Sequence, residues 1–407
     1  MRSYRELFRT PEFTPFFVSA AARTAAQTIS GLALGTLVYR ATDSPLLSAV
    51  SMFGPQLAQM LGATFLMSGA DRLPPRSTLT GIQFATAAGT ALLALPGLPI
   101  GAVFAVVFVQ GLIASLGGGV RWGLLNEILT KDGYLLGRSV FNMLTGLTQV
   151  AGYATGGALL AFVSPRTCLL LATALSLLSA VVTRLGLTAR PPRASGRPSV
   201  AETWRTNALL WSSRPRRLTL LGLWLPNGLV VGCESLFVSY DPGAAGALYA
   251  SAALGMFVGD VTVGRLVPPA LRPRLAVPLL LLLATPYLVF ALHPGVPLSA
   301  AAAALASVGF GASLVQQERL IALTPDHLTG HVLGLQSSGT MTLQGVSAAL
   351  AGTVAQVTSP GVAVTVMAGT SVAVTVMLAW AGRSGGGVPG LRAGGAAGRA
   401  EPAGRRT

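Results

Sequence analysis

Apolar residues run through this chain in long stretches, broken by short segments rich in Arg, Asp, Pro and Gly. No alternation of period two competes with them, which argues against a β-barrel. Most are long enough for a helix that crosses a bilayer, which needs about 20 apolar residues. The pattern predicts twelve spans in the first instance. Six are Thr14–Tyr39, Pro45–Ala70, Ser77–Leu95, Pro99–Leu129, Leu135–Val163 and Pro165–Leu187. The other six are Leu218–Tyr240, Ala244–Val267, Leu275–Leu292, Val296–Leu323, Val332–Val357 and Gly361–Ala381. The expected fold class is therefore an all-α polytopic membrane protein.

The segments between spans divide the chain. A six-helix half is expected over 1–187 and a second over 218–382. Between them, 188–217 begins with the basic linker Arg190-Pro191-Pro192-Arg193. Ser199-Val200-Ala201-Glu202 then forms a capping-box pattern. Val200, Trp204, Ala208 and Trp211 recur at helical spacing, which predicts a short amphipathic helix at the membrane interface. The Gly/Arg/Ala-rich tail, 383–407, has no apolar periodicity and is expected to be disordered. The halves repeat: Gly137 and Gly146 stand at the same offset from Gly330 and Gly339 as Arg72 does from Arg265. Two such halves on one long loop are a parallel-repeat transporter layout.

Composition agrees with burial in lipid. Of 407 residues only 10% are charged, far below the roughly 25% of soluble domains. A large soluble enzyme, a disulfide scaffold and a disordered chain are excluded. The formal net charge is +15. Placed with both termini in the cytoplasm, the chain keeps 25 basic residues inside and leaves Arg40 and Arg166 in outer loops. The positive-inside rule selects that orientation and a cell membrane location, and makes nucleic acid an unneeded partner. Met1–Phe13 is charged and many spans follow the first, so that span reads as uncleaved. The lone lysine, Lys131, fits no phosphate-binding loop, and Cys168 and Cys233 lie in apolar runs. His327 and His331 stand four apart without a third ligand. No metal, no cofactor and no enzymatic activity are expected.

Gly69-Ala70-Asp71-Arg72-Leu73-Pro74-Pro75-Arg76 joins spans 2 and 3. Here the chain resembles the major facilitator superfamily (MFS), whose loop at this place carries an Asp-Arg pair and a later basic residue. Asp71, Arg72 and Arg76 match them, while Pro74-Pro75 departs from the pattern. The resemblance makes these residues, with Arg265, an inner-face gate. Tyr39-Arg40-Ala41-Thr42-Asp43-Ser44-Pro45-Leu46 and Leu323-Thr324-Pro325-Asp326 resemble turns of the enterobactin-exporter and macrolide-efflux branch. Gly146, Gly152, Gly156 and Gly157 resemble that superfamily's antiporter motif, with Tyr153 where Pro is usual. Glycines at this spacing also let helices pack closely.

Intramembrane charges are the strongest pointers to a site. Arg23 and Glu234 lie on the pseudo-equivalent spans 1 and 7, which line the cavity in the resembled fold. Burial would favour their pairing, and Glu234 is a candidate proton carrier. Asp260 reads as a gate residue near the inner end. Gln27, Phe53, Gln56, Gln110, Asn126, Asn142, Gln149, Asn227 and Gln317 are possible cavity liners, or polar glue between helices. Glu127, Arg121, Glu318 and Arg319 read as salt-bridge partners at the inner face. The resemblance implies a monomeric, proton-coupled exporter of a small lipophilic or amphipathic substrate: a drug, siderophore or secondary metabolite. An uptake carrier and a non-transporting scaffold or sensor are the alternatives. Reporter fusions after Ser199 and after Arg383 should report cytoplasm, and one at Pro96 the outside. An external tail would overturn the span assignment.

Overall fold

A computed structural model of the chain describes residues 4–70, 73–129, 131–191, 200–325 and 328–384. Asp71, Arg72, His327, the capping residue Ser199 and the tail from 385 lie outside the described residues, as do the side chains of Asn126 and Asn142.

The described chain is helical. A short helix α1, Tyr4–Arg9, precedes α2 (Phe13–Thr42), α3 (Pro45–Ala70), α4 (Pro75–Leu93), α5 (Ile100–Ile128), α6 (Lys131–Phe162) and α7 (Pro165–Gly186). The linker helix α8, Val200–Ser212, follows. Then come α9 (Arg214–Glu234), α10 (Phe237–Tyr240), α11 (Ala245–Val261), α12 (Arg272–Ala284), α13 (Val296–Val308), α14 (Ala312–Ala322), α15 (Thr329–Val357) and α16 (Pro360–Ser384). Several prolines sit at helix starts, where the missing N–H costs nothing.

Seven described helical segments are long and apolar enough to cross a bilayer. The helices α2, α3, α4, α6 and α15 are not among them, and several polar residues of α2 and α15 face protein. Ser19 on α2 bonds Ser179 and Thr183 of α7 at 2.9 and 2.7 Å. Gln83 of α4 donates to the same Ser179 at 2.7 Å, which ties three helices together. On α15, Gln344 donates to Asn227 of α9 at 2.8 Å. Lipid offers no hydrophobic drive for helix association, so such bonds and close packing supply the specificity.

Each half packs on itself. In the first, α7 lies against α2 and α4, and α3 against α5. In the second, α9 lies between α15 and α16, and α11 packs on α13. Pro226 interrupts α9 and frees the carbonyl of Gly222 one turn back. Gln316 of α14 donates to that carbonyl at 3.3 Å, so the break is held from the neighbouring helix. The halves meet chiefly along two helix pairs, α3 with α15 and α6 with α11, and the short α10 also touches α2 and α3.

The molecule has two ends. The near end holds the starts of α2 and α9 and the ends of α7 and α16: Gly186 lies on Pro15, and Arg214 donates to Ala381 O at 3.1 Å. At this end Glu12 takes a left-handed backbone, φ 70°, before α2. Its carboxylate receives both Nη atoms of Arg190 at 2.7 and 3.0 Å, and Thr188 through N and Oγ1. Arg190 also faces Glu127 of α5 at 3.5 Å. The linker is thereby tied to the first half. The linker helix α8 rests on the second half instead. Leu210 is buried with Leu220, Leu223, Leu320 and Val332, and Trp211 stacks on Trp224 at 5.5 Å. Ala208, placed on the apolar stripe by its spacing, is exposed.

Burial pushes the Glu12 carboxyl up, but the bonds from Arg190 and Thr188 outweigh it and hold it below its ordinary value of 4.5. Folded Glu12 thus binds a proton less readily than the unfolded chain does. The ionised knot stabilises the fold in full above the ordinary value and loses that contribution as pH falls through Glu12's own, lower one. Glu12→Gln should lower the melting temperature by a few degrees at neutral pH, and the gap to wild type should close on acidification. A gap that stays constant with pH would remove the knot's electrostatic role.

Candidate functional site

The helices that meet between the halves position the candidate site. Glycine lets their backbones touch near the far end. A Cβ added at Gly157 of α6 would fall on the backbone of Gly246 of α11, and the reverse holds too. Gly352 of α15 lies on Leu46 of α3, 2.6 Å from that Cα to where a Cβ would stand. Ser44 donates to Gln356 Oε1 at 2.8 Å across the same seam. Tyr153 stacks on Tyr249 at 4.9 Å, and the Tyr249 hydroxyl reaches Met52 Sδ at 3.6 Å. The far end is therefore closely joined. Deeper in, Gly146 faces Phe257 of α11 and Gly345 faces Leu57.

The four glycines of the antiporter-like motif divide their work. Gly152 and Gly156 lie against Thr28, Ile29 and Leu32 of α2, while Gly146 and Gly157 face α11. So α6 is wedged between its own half and the other. Tyr153, at the position where Pro is usual, supplies the stacked ring of the seam.

Arg23 and Glu234 are not brought together. Arg23 donates from Nη1 to Gln27 Oε1 at 2.7 Å on its own helix, and its Nε is buried without a partner. Glu234 is 7% exposed and faces the core of the second half. There Oε1 accepts from Tyr287 at 3.3 Å and Ser307 at 3.4 Å. The reason is geometric. Arg23 stands ten residues into α2 and Glu234 twenty into α9, a difference in depth of about 15 Å at 1.5 Å per residue. Glu234 is also the last residue of α9, where the chain turns through Ser235 and Leu236 into α10.

The other expected residues fall into separate places. Gln110 bonds Thr86 O at 2.9 Å and Thr90 Oγ1 at 3.3 Å, so it joins α5 to α4. Asn227 is bonded to Gln344. Gln27 is exposed, and Gln149 and Gln317 are half-buried. Phe53 packs on the core of the second half. Gln56 Oε1 is buried without a partner. At the near end Arg76 donates to Leu187 O at 3.2 Å and caps α7. Asp260 is exposed, and Arg265 reaches Met143 Sδ at 3.5 Å across the seam. Asp71 and Arg72, the centre of the expected gate, are among the residues not described.

Two features had no clear signal in sequence. Arg272, at the start of α12, pairs with Glu318 of α14 and caps the chain at Gly264 O and Val267 O. Among the described residues no carboxylate pairs with Arg121, although its position suggested an ion pair.

No family model and no curated relative matches the sequence. The fold has many solved counterparts. A POT family transporter in complex with a thioalcohol-conjugated peptide is 12% identical, with TM-score 0.69 over 91% of this chain and 95% of the other. The peptide transporter POT in complex with sulfate is 14% identical, with TM-score 0.69 over 94% and 99%. A bacterial homologue of the human lysosomal transporter Spinster, inward-facing and unoccupied, is 14% identical, with TM-score 0.66 over 91% and 95%. The chain thus shares the fold of these transporters, and seven of its described helical segments are long and apolar enough to cross a bilayer.

Replacing Gly157 by Leu should force α6 from α11 and open the far-end seam. Ser44→Cys, 9% exposed at that seam, reports it, since Cys168 and Cys233 are buried. In detergent, a maleimide should label Ser44→Cys several-fold faster when Gly157→Leu is present. Equal labelling rates would mean that the glycine contact does not hold the far end shut.

Proposed function

We propose that this protein is a secondary active transporter that moves a small molecule by alternating access. Twelve spans, with both termini in the cytoplasm, carry it in the cell membrane. The observation that supports this reading most is the seam between the halves. It combines glycine contacts in which backbones nearly touch with apolar side chains of the first half, Leu32, Met52 and Phe53, that pack on the second half's core. An interface of two such packed faces is the kind that rigid-body rotation of halves repacks. With the near end in the cytoplasm, the joined far end is the outer gate, and the state described has it shut. On this reading the resemblance to exporters in its turns favours outward movement of a small amphipathic compound, with the proton gradient as driver.

Glu234 is the residue we assign to the proton. It is a carboxylate in an apolar core with two hydroxyl donors and no described cation in contact. A charge so enclosed is costly to keep. Its position at the break between α9 and α10 links its charge state to the shape of the helix pair. Asp260 is the next carboxylate in line, nearer the cytoplasmic end. We assign Arg265 and Arg76, with Asp71 and Arg72, to the inner gate.

Two spin labels test the reading without knowledge of the substrate. They are placed at Arg40, on the far end of α2, and Val357, on the far end of α15. Wild type in nanodiscs should give two distance populations whose ratio changes with pH. Glu234→Gln should hold one ratio at every pH, because the amide mimics the protonated acid without releasing the proton. A single distance at all pH values would favour the scaffold alternative. A pH response kept in full by Glu234→Gln would take the proton role from this residue.

A further inference from the structure

The end of α11 sets where Arg265 can reach. Arg265 lies in the π-helical turn Thr262–Leu266, which the N–H of Val267 closes on Thr262 O at 3.1 Å. Arg272, at the start of α12, donates to Gly264 O at 2.9 Å and to Val267 O at 3.2 Å, and pairs with Glu318 of α14. Two other helices therefore hold the turn. From it, Nη2 of Arg265 reaches Sδ of Met143 on α6 at 3.5 Å. The helices α6 and α11 run antiparallel along the seam, since Gly157 meets Gly246 and Gly146 meets Phe257. Met143 stands three residues before Gly146, on the near-end side of those contacts, and is half-buried. A cation of the second half thus rests on a sulfur of the first.

That pair is poorly matched as it stands. A guanidinium carries a full charge and five donors, while a thioether is a weak, neutral acceptor. Oxidation reverses the mismatch. Methionine sulfoxide is polar, and its oxygen is a far better acceptor than the sulfur it replaces. A hydrogen bond from an ionised donor is roughly twice as strong as one between neutral groups. Elsewhere a sulfoxide harms the packing around it, because it places a polar group among apolar ones. At Met143 the partner for the new oxygen is already in position. Met52 differs at the far end. Its sulfur meets the neutral hydroxyl of Tyr249 at 3.6 Å and fills the space over Gly35.

We propose that Met143 is a redox-sensitive modification site, at which a hydroperoxide forms the sulfoxide and Arg265 binds its oxygen. The sulfur attacks one peroxide oxygen, an S–O bond forms and the O–O bond breaks. The second oxygen takes up the proton of the first and leaves as water when the oxidant is hydrogen peroxide. Sulfur loses two electrons and the peroxide gains them. The new bond fastens α6 to α11 on the near-end side, so that the halves part less readily there. That consequence for transport rests on the alternating-access reading, whereas the bond itself does not.

The test is thermal unfolding of the detergent-purified full chain before and after hydrogen peroxide. Peptide mass spectrometry should find an added oxygen on Met143. The chain has nine methionines, so Met143→Leu treated alongside removes the effect of the others. On treatment, wild type should gain a few degrees relative to Met143→Leu. In an Arg265→Gln background it should lose ground instead, as an unmatched sulfoxide does. Met143→Gln supplies an amide oxygen without any oxidant. It should lose a few degrees more on Arg265→Gln than Met143→Leu does, a coupling that general damage to the fold would not produce. The proposal is overturned if Met143 gains no oxygen, if treatment gives wild type no advantage over Met143→Leu, or if Arg265→Gln keeps that advantage. It is overturned equally if Met143→Gln shows no coupling to Arg265. Any of these results beside two pH-dependent spin-label distances would end this proposal and leave the transporter reading intact. The expected gain beside a single distance would keep the redox bond in a protein that does not alternate.

Discussion

The backbone contact between Gly157 and Gly246 is the constraint on which the arrangement of the two halves depends. Neither position has room for a Cβ, so α6 and α11 approach until their main chains touch. Gly352 on Leu46 does the same for α15 and α3. Within a bilayer there is no water to expel from such a seam, and dispersion at close range replaces the hydrophobic effect. Contacts of this kind are lost within an ångström of separation. On the proposed reading, the seam therefore favours two discrete states, joined or parted, over a range of intermediate ones.

Each half must then be rigid in its own right. The first is bound by the Ser19, Gln83, Ser179 and Thr183 network, which joins α2, α4 and α7. The second has a large core in which Phe237, Tyr249, Tyr287 and Phe290 meet edge and face. The linker joins them at the near end with a different hold on each. Glu12 and Arg190 anchor its start to the first half, while Leu210 and Trp211 anchor α8 to the second. Residues 192–199 connect the two anchors.

The fold was legible in sequence because lipid imposes one strong rule. An uninterrupted apolar run becomes a helix, and a cluster of Arg, Pro and Gly ends it. The helix over Val200–Ser212 stands where the capping pattern is. What the pattern does not carry is azimuth. Depth along a helix follows from counting residues, but these helices are apolar on nearly every face. Glu234 was therefore placed at the right helix end while its direction stayed open, and it faces Tyr287 and Ser307 instead of Arg23. Ala208 shows the same limit on α8, where Leu210 is the buried anchor. The Glu12 knot had no signal at all. It joins residues far apart in sequence and depends on a left-handed backbone at Glu12, which composition does not announce. Arg121 looked like one more basic residue near an inner end. That no described carboxylate pairs with it shows only once their places are known.

If Glu234 carries the proton as proposed, its charge state in the second half must be felt at the seam with the first. Packed aromatic rings connect the two regions. Tyr287 donates to Glu234 and lies 6.2 Å from Phe237, which lies 5.0 Å from Tyr249. Tyr249 stacks at 4.9 Å on Tyr153, which belongs to the first half. On the proposed reading, a proton on Glu234 removes the carboxylate's hold on the Tyr287 hydroxyl. Tyr287 can then turn, and close packing passes that displacement to the ring face on which the seam rests. Tyr153 stands where Pro is usual in the resembled motif, and a proline there would end this chain of rings before it reached the first half. The substitution that departs from the motif thus provides a physical contact through which protonation in one half can loosen the far-end seam of both.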